Sequence, residues 1–182
     1  MTSSTVTTAQ DTTALPTGTW GLDRVHSSIG FAVRHSGVMT FRGTFADYDA
    51  NLRDGELEGA ARVASVQVED ENLEAHLQTP DFFDAERHPE LRFRGEAVQR
   101  DGDRISIEGE LTIKGTTKPV ELTGRATGPI VDGYGRNRLG LDLETTIDRH
   151  DFGVSWNAEL PTGDTMLDDE VTLTANLALV EA

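Results

Sequence analysis

The sequence predicts an all-β fold with one short helix, an antiparallel barrel or sandwich of about eight strands. Three observations carry this reading. Apolar and polar residues alternate with a period of two over most of the chain after residue 18. Asp-Gly pairs at Asp54-Gly55, Asp101-Gly102 and Asp132-Gly133 fall between alternating runs. Glycine there takes up positive φ without steric cost and closes a hairpin. One segment alone changes to helical spacing.

The elements follow in order. Ile29, Phe31 and Val33 mark the first strand, and residues 41–52, 57–68 and 91–98 give the next three. Over residues 105–113 every odd position is apolar or Gly and every even one polar. Lys114 to Pro119 reads as a turn, after which residues 120–126 resume the alternation. Leu139, Leu141, Leu143 and Ile147 alternate with Arg138, Asp142, Glu144 and Thr146. Near the end Val171, Leu173, Ala175, Leu177 and Leu179 repeat the pattern. A polar face on each strand fits antiparallel sheets, which tolerate one wet side, and not a buried parallel sheet. Hairpin-linked strands in this number make an up-and-down barrel or a sandwich. Residues 69–78 are the exception. Leu73 and Leu77 stand four apart there, and acidic residues fill the first turn, where they suit the helix dipole. Thr79-Pro80 ends this helix, which is expected to lie across one barrel end as a lid or plug.

Composition narrows the function. The first 17 residues are Thr/Ser-rich with almost nothing to bury and read as a flexible tail, leaving residues 18–182 as one domain. That tail has neither the basic nor the apolar region of a secretory signal, so the cytoplasm is the expected compartment. No run approaches the roughly 18 apolar residues of a membrane-spanning helix. Cysteine is absent, which removes disulfides and thiol chemistry. The net charge of −16 repels nucleic-acid phosphates and anionic headgroups, and it argues against a nucleic-acid partner. Exposed edge strands are natural dimer surfaces, and the sequence leaves monomer and homodimer both open.

Sites for chemistry are sparse. The five histidines, His26, His35, His76, His88 and His150, show no metal-ligand spacing. Asp101-Gly102-Asp103 starts like a calcium loop, but Ile105 stands where a third ligand is needed. Residues 109–117, GELTIKGTT, place Lys before Gly, the reverse of a phosphate-binding loop. His26 beside Ser27 and Ser28, and His150 beside Asp151, supply the ingredients of a triad. Strand neighbours point to opposite faces, however, so they read as turn and cap hydrogen bonds. No catalytic residue, metal or cofactor is expected.

What remains is an inward apolar lining. The candidate ligand-binding residues are Phe31, Val33, Phe41, Phe45, Phe82, Phe83, Ile105, Ile107, Leu111, Leu122, Leu141 and Leu143. An eight-stranded barrel is wide enough either to be filled by such side chains or to hold one small ligand. Glycines within the strands, at 43, 59, 95, 109 and 124, suggest curvature and space. The adjacent phenylalanines in DFFDAERHPELRFRG, residues 81–95, sit at the edge of the lid.

Four stretches, in order, also resemble a known family. Residues 18–52 (GTWGLDRVHSSIGFAVRHSGVMTFRGTFADYDANL) resemble the start of the YceI-like proteins, the polyisoprenoid-binding bacterial family. Residues 72–98 (NLEAHLQTPDFFDAERHPELRFRGEAV) resemble its most specific segment, with Asn72, Leu73, Leu77, Asp81, Phe82, Phe83, Asp84 and Pro89 in place. GELTIKGTTKPVEL and IDRHDFGVSW complete the pattern. The resemblance implies a lipocalin-like barrel with a helical cap and an apolar tunnel for a long isoprenoid chain. An isoprenoid quinone or a polyprenyl phosphate or pyrophosphate would be its ligand, held for transport, storage or sequestration. One ring of the Phe82-Phe83 pair would then fix the cap and the other face the tunnel. Arg34, Arg136, Arg138 and Arg149 could gather into a basic spot for a headgroup. Many relatives carry a secretory signal and act in the periplasm, where this chain has its Thr-rich tail. Two other readings stand beside lipid binding. One is a ligand-free structural or stress-related dimeric module, and the other an enzyme built on His26, His35 and His150.

Overall fold

A computed structural model describes residues 15–182 of the chain. Of the expected tail, residues 1–14 lie outside the described residues. Leu15 is buried against the barrel's first core cluster, which includes Trp20. No helix among the described residues is long and apolar enough to cross a membrane.

Eleven strands and one α-helix follow in chain order: β1 (Thr19–Leu22), β2 (Ser28–His35), β3 (Met39–Phe45), β4 (Tyr48–Arg53), β5 (Glu56–Arg62), β6 (Val66–Gln67), α1 (Glu71–Leu77), β7 (Glu90–Asp101), β8 (Arg104–Ile113), β9 (Thr116–Val131), β10 (Asn137–Asp148) and β11 (Leu167–Glu181). All pairings are antiparallel, and the sheet closes because β1 pairs with both β4 and β11. The result is a closed eight-stranded barrel. Six of the eleven short strands make up three broken staves. β1 and β2 run along the same edge of β11, interrupted by a 3-10 turn at Arg24–His26. β3 and β4 are separated by two residues, and β5 and β6 by a 3-10 turn at Val63–Ser65. Residues 41–52 and 57–68 therefore behave as the two staves the alternation predicts, each with a corner in it. Ser65 holds both corners together, since its Oγ accepts from Asp47 N and donates to Arg62 O.

The Asp-Gly hairpins form where expected, between β4 and β5, β7 and β8, and β9 and β10. The turn after β8 is shorter than the sequence suggests. Lys114 (φ 49°) and Gly115 (φ 76°) complete it alone, so Thr116 to Pro119 already belong to β9. Two left-handed residues in succession give a two-residue loop whose twist matches the flanking strands.

Of the strand glycines, Gly43, Gly95, Gly109 and Gly124 do not open space, whereas an added Cβ at Gly59 would meet only Asp49 O at 3.7 Å. The Phe31 ring lies on Gly43, its cross-strand partner, so a Cβ there would sit 2.4 Å from Phe31 Cζ. Gly95 and Gly109 face each other under the ring of Phe93 in the same way. Glycine serves at these positions as a seat for an aromatic ring, from the adjacent strand at Gly43 and Gly109 and from its own strand at Gly95.

The buried side chains divide along the barrel axis. One cluster, around Trp20, contains Leu52, Ile107, Leu139, Leu141 and Leu179, all essentially without exposure. The other, around Phe31 and Phe82, lies at the opposite end beneath α1 and the loop that follows it.

Candidate functional site

The second end is hollow. A cavity of about 170 Å³ opens between the ends of the β2, β8, β10 and β11 staves, α1 and the two loops that cross them. Aromatic and aliphatic side chains form nearly all of its wall. Among the described residues its titratable lining groups are His35, His76 and Arg149.

Local chemistry explains how the lid is held. Asp70 caps α1 by accepting from Leu73 N at 2.9 Å. Leu73 and Leu77, one turn apart, both face the cavity. Glu74, on the same helix, accepts from Val68 N at 3.0 Å and ties the helix to the wall. Beyond α1 the backbone N–H groups of Phe82 and Asp84 both donate to Thr79 O, and Asp84 takes a left-handed φ of 52°.

That compact turn sends both phenylalanines to the cavity, and each fastens a different wall. Phe82 packs on His76 of α1, with ring centroids 5.0 Å apart, and on Trp156 at 5.4 Å. Phe83 stands edge-on to Phe31 and Phe45, at 6.0 and 5.9 Å. The expected division of labour, with one ring fixing the cap and the other lining the cavity, is replaced by two rings that each do both. Such edge and tilted contacts suit the ring quadrupoles.

The second loop begins with a 3-10 turn, Arg149–Phe152, ended by Gly153 in the left-handed region. Arg149 is buried, at 4% exposure. Its Nε donates to Asp168 O at 2.9 Å, and Nη1 donates to Val154 O and Trp156 O at 2.9 and 2.8 Å. These bonds hang the 154–156 segment on the barrel end. Among the described residues Nη2 finds no hydrogen-bond partner. Burial pushes the guanidinium below its ordinary pKa, against the pull of Asp169 and Asp148. Lys114, from the tip of the β8–β9 hairpin, donates to Pro80 O and to Gly153 O, so one side chain joins both loops.

The structure sorts the twelve sequence candidates by depth. Phe31, Val33, Phe41, Phe82 and Phe83 line the cavity. Phe45 and Leu111 are buried in the same cluster without lining it. Ile105, Ile107, Leu141 and Leu143 belong to the Trp20 cluster, and Leu122 packs against that cluster. The four arginines do not gather. Arg138 binds Asp23 and Asp132, Arg136 pairs with Asp132, Arg34 donates to Gly37 O, and only Arg149 reaches the cavity. Nor do the three histidines of the enzyme reading converge. His26 and His150 pair with Asp23 and Asp169 on the surface, while His35 alone faces the cavity, with Nδ1 3.1 Å from Ser36 Oγ.

Sequence reasoning missed much of the wall. Ile113, Ile147, Val171 and Leu173 continue alternations already recognised, so parity could have found them. Phe152, Val154 and Trp156 come from a loop without periodicity, which only the IDRHDFGVSW motif pointed to, and Met166 lies beyond that motif with no signal of its own.

Comparisons with known proteins agree with this architecture. A sequence model of the YceI-like domain matches residues 20–179. Protein YceI of Escherichia coli O157:H7 is 31% identical over 136 residues, 71% of each chain. A crystal structure of the Campylobacter jejuni YCEI protein superposes with a TM-score of 0.69 at 27% identity, covering 88% of this chain and 96% of that one. A polyisoprenoid binding domain from Saccharophagus degradans, implicated in plant cell wall breakdown, superposes with a TM-score of 0.68. It is 11% identical, with 90% of this chain and 98% of that one covered, which speaks to the fold alone.

Proposed function

We propose that this chain, which belongs to the YceI-like family, binds the chain of an isoprenoid lipid in its apolar barrel end without catalysing a reaction on it. The observation that carries the proposal is the cavity itself: an apolar space walled by Phe31, Phe41, Phe82 and Phe83. Affinity would come from buried hydrocarbon, at roughly 25 cal/mol per Å². The name of the Saccharophagus degradans relative, a polyisoprenoid binding domain, favours an isoprenoid over other hydrocarbons. An isoprenoid quinone and a polyprenyl phosphate are the two ligand classes, and carriage or sequestration is the role. The dispersal of His26, His35 and His150 supports the non-catalytic reading.

Size constrains how such a lipid fits. A cavity of about 150 Å³ holds a benzene ring, so this one takes roughly one isoprene unit. A longer chain has to displace the lid. α1 is only seven residues long and leans on the barrel through Leu73, Leu77 and the Glu74 carboxylate, so it is the element suited to move.

Organic extraction of protein purified from its native host, followed by mass spectrometry, tests the proposal. A stoichiometric species with a repeating isoprene-unit mass is expected. The dense packing around Trp20 favours a second reading, a ligand-free structural module. An empty protein that also ignores added quinones and prenyl phosphates would establish that one instead.

A further inference from the structure

Among the described residues few large apolar side chains stand in water, and they fall in two places. Val25, Ile130, Val131 and Tyr134 lie on the two segments that Arg138 joins through Asp23 and Asp132, towards the filled end. Val38 and Met39, at 75% and 58% exposure, stand where β2 turns into β3, at the cavity end. That hairpin belongs to the cavity wall. Met39 pairs across the strands with His35, and Phe41 with Val33, and three of these four residues line the cavity. Ser36 N donates to Met166 O at 2.7 Å, and Met166 lines it too. Left-handed φ angles at Ser36 (53°) and Gly37 (67°) make the turn tight, and Arg34 Nη2 braces it by donating to Gly37 O at 2.6 Å. Neither Val38 nor Met39 contributes to a core cluster, so packing does not explain the pair.

Charge selects the partner. From residue 24 to residue 46 the chain has no Asp or Glu, the longest such run in a sequence with 32 of them. Arg34 and Arg42 stand exposed on the two strands just behind the tip. Phosphate groups can therefore approach this hairpin, while the net charge of −16 repels them elsewhere. Opposite Arg34, however, Asp168 to Glu170 fill a bulge of β11, which offsets the arginines and leaves an anionic surface no advantage. A lipid surface that is neutral overall fits both facts. Its phosphates meet the arginines, and its interfacial layer takes in the apolar pair. A second copy docked tip to tip about a two-fold axis would instead set the same arginines against each other. We propose that the β2–β3 tip docks on a zwitterionic lipid surface, with Val38 and Met39 immersed in the headgroup layer and the cavity brought against the membrane that supplies its lipid. The last clause rests on the apolar-cavity reading above, since an isoprenoid chain is drawn from a bilayer and not from water.

Flotation of the full-length protein with phosphatidylcholine vesicles tests this, with farnesol, a short isoprenoid alcohol, as a separate probe of the cavity. The wild type should float with the vesicles. The double variant Val38→Ser with Met39→Ser changes two exposed residues outside the cavity wall, so it should keep the wild-type melting transition and farnesol affinity. Its vesicle binding should fall roughly ten- to a hundredfold, the effect of withholding two apolar side chains from the interface. The absence of cysteine permits a second measurement. Met39→Cys carrying an environment-sensitive dye should shift its emission to the blue on vesicles, whereas Val25→Cys, also exposed but away from the cavity end, should not. A wild type that stays off phosphatidylcholine, or a double variant that binds it unchanged, would overturn the inference. So would binding confined to phosphatidylglycerol vesicles and removed by salt, which is electrostatic adsorption. Self-association that the double variant loses would overturn it too, by making the tip an interface between copies. Farnesol binding without vesicle binding refutes the docking surface alone. Vesicle binding without farnesol binding refutes the cavity reading and leaves the tip a plain membrane anchor.

Discussion

The two ends of this barrel share one construction rule and differ in what fills them. Both are closed walls of alternating residues with apolar side chains turned inward. At the first end Trp20, Leu15, Leu52, Ile107, Leu139, Leu141 and Leu179 form one cluster, each almost wholly buried. At the second the inward residues include four phenylalanines, whose rings meet at tilted and edge-on angles around an open space. Strand alternation makes an interior, and the closing groups decide whether it is solid. A buried indole belongs to the cluster at one end, whereas a helix and two loops span the other.

The largest expected difference between the ends is in stability. Leu141→Ala, in the filled half, leaves a hole among immobile neighbours and should cost about 2–5 kcal/mol in urea denaturation. Leu173→Ala, on the cavity wall and only partly buried, should cost roughly half as much, because it enlarges an existing space. Equal costs would break the distinction between a solid and a hollow half.

Next is the seat of Phe31. Gly43→Ala drives a methyl group into that ring and should destabilise by about 1–3 kcal/mol, with farnesol affinity reduced as the ring is pushed into the cavity. Gly59→Ala meets only ordinary contact with Asp49 O and should change stability by no more than about 1 kcal/mol. A harmless Gly43→Ala would show that Phe31 has room to retreat and that the cavity wall is soft.

A spectroscopic contrast is smaller but cleaner. Trp156 lines the cavity against Phe82 and His76, while Trp20 is buried in the other half. Adding farnesol to Trp20→Phe, where Trp156 is the only indole, should therefore change the emission. The same addition to Trp156→Phe should leave Trp20 emission unchanged. A response from Trp20 would mean that the ligand penetrates the filled half or that the halves are coupled.

Much of this was legible in the sequence, for reasons that also mark the limit. Parity along a strand says which side chains face inward, so Ile107 and Ile113 were both recognisable as interior. Parity carries no depth, and one lies in the solid half while the other lines the cavity. Depth depends on which distant groups close each end, and Trp20, Leu15 and the 149–156 loop offer no periodic signal. The strand glycines misled for a related reason. A missing Cβ looks like space from the sequence, whereas here the Phe31 ring from the neighbouring strand occupies it at Gly43, and the Phe93 ring occupies it at Gly109 across the strand pair and at Gly95 on its own strand. Arg149 stood among four arginines that charge alone could not separate. Three of them are paired or bound at the surface, and only the turn at Arg149–Phe152 carries the fourth inside.

The smallest effect belongs to the ion cluster that fastens the filled end, and pH resolves it. Arg138 bridges Asp23, at the corner between β1 and β2, to Asp132 at the tip of the β9–β10 hairpin, with contacts of 2.7 and 2.6 Å. Its guanidinium, helped by His26, lowers the Asp23 carboxyl to about 2, and it is also the main cause that depresses Asp132. In the unfolded chain both carboxyls titrate near 3.9, at about the ordinary value for Asp. The folded form therefore binds protons less readily. The stabilisation is complete above about pH 5 and is lost as pH falls towards 2. Asp132 gives up its share at the acid end of that window. Because all three groups reach water, the gain is modest even at neutral pH. Arg138→Met should melt slightly below the wild type at pH 7, and the gap should close on acidification through this window. At the cavity end Lys114 holds carbonyl oxygens, and the ion pairs there, such as His76–Asp81 and His150–Asp169, do not involve Arg138. Farnesol affinity should consequently be the same in Arg138→Met and in the wild type at pH 7. A loss of affinity in that variant would show that the solid end sets the shape of the hollow one.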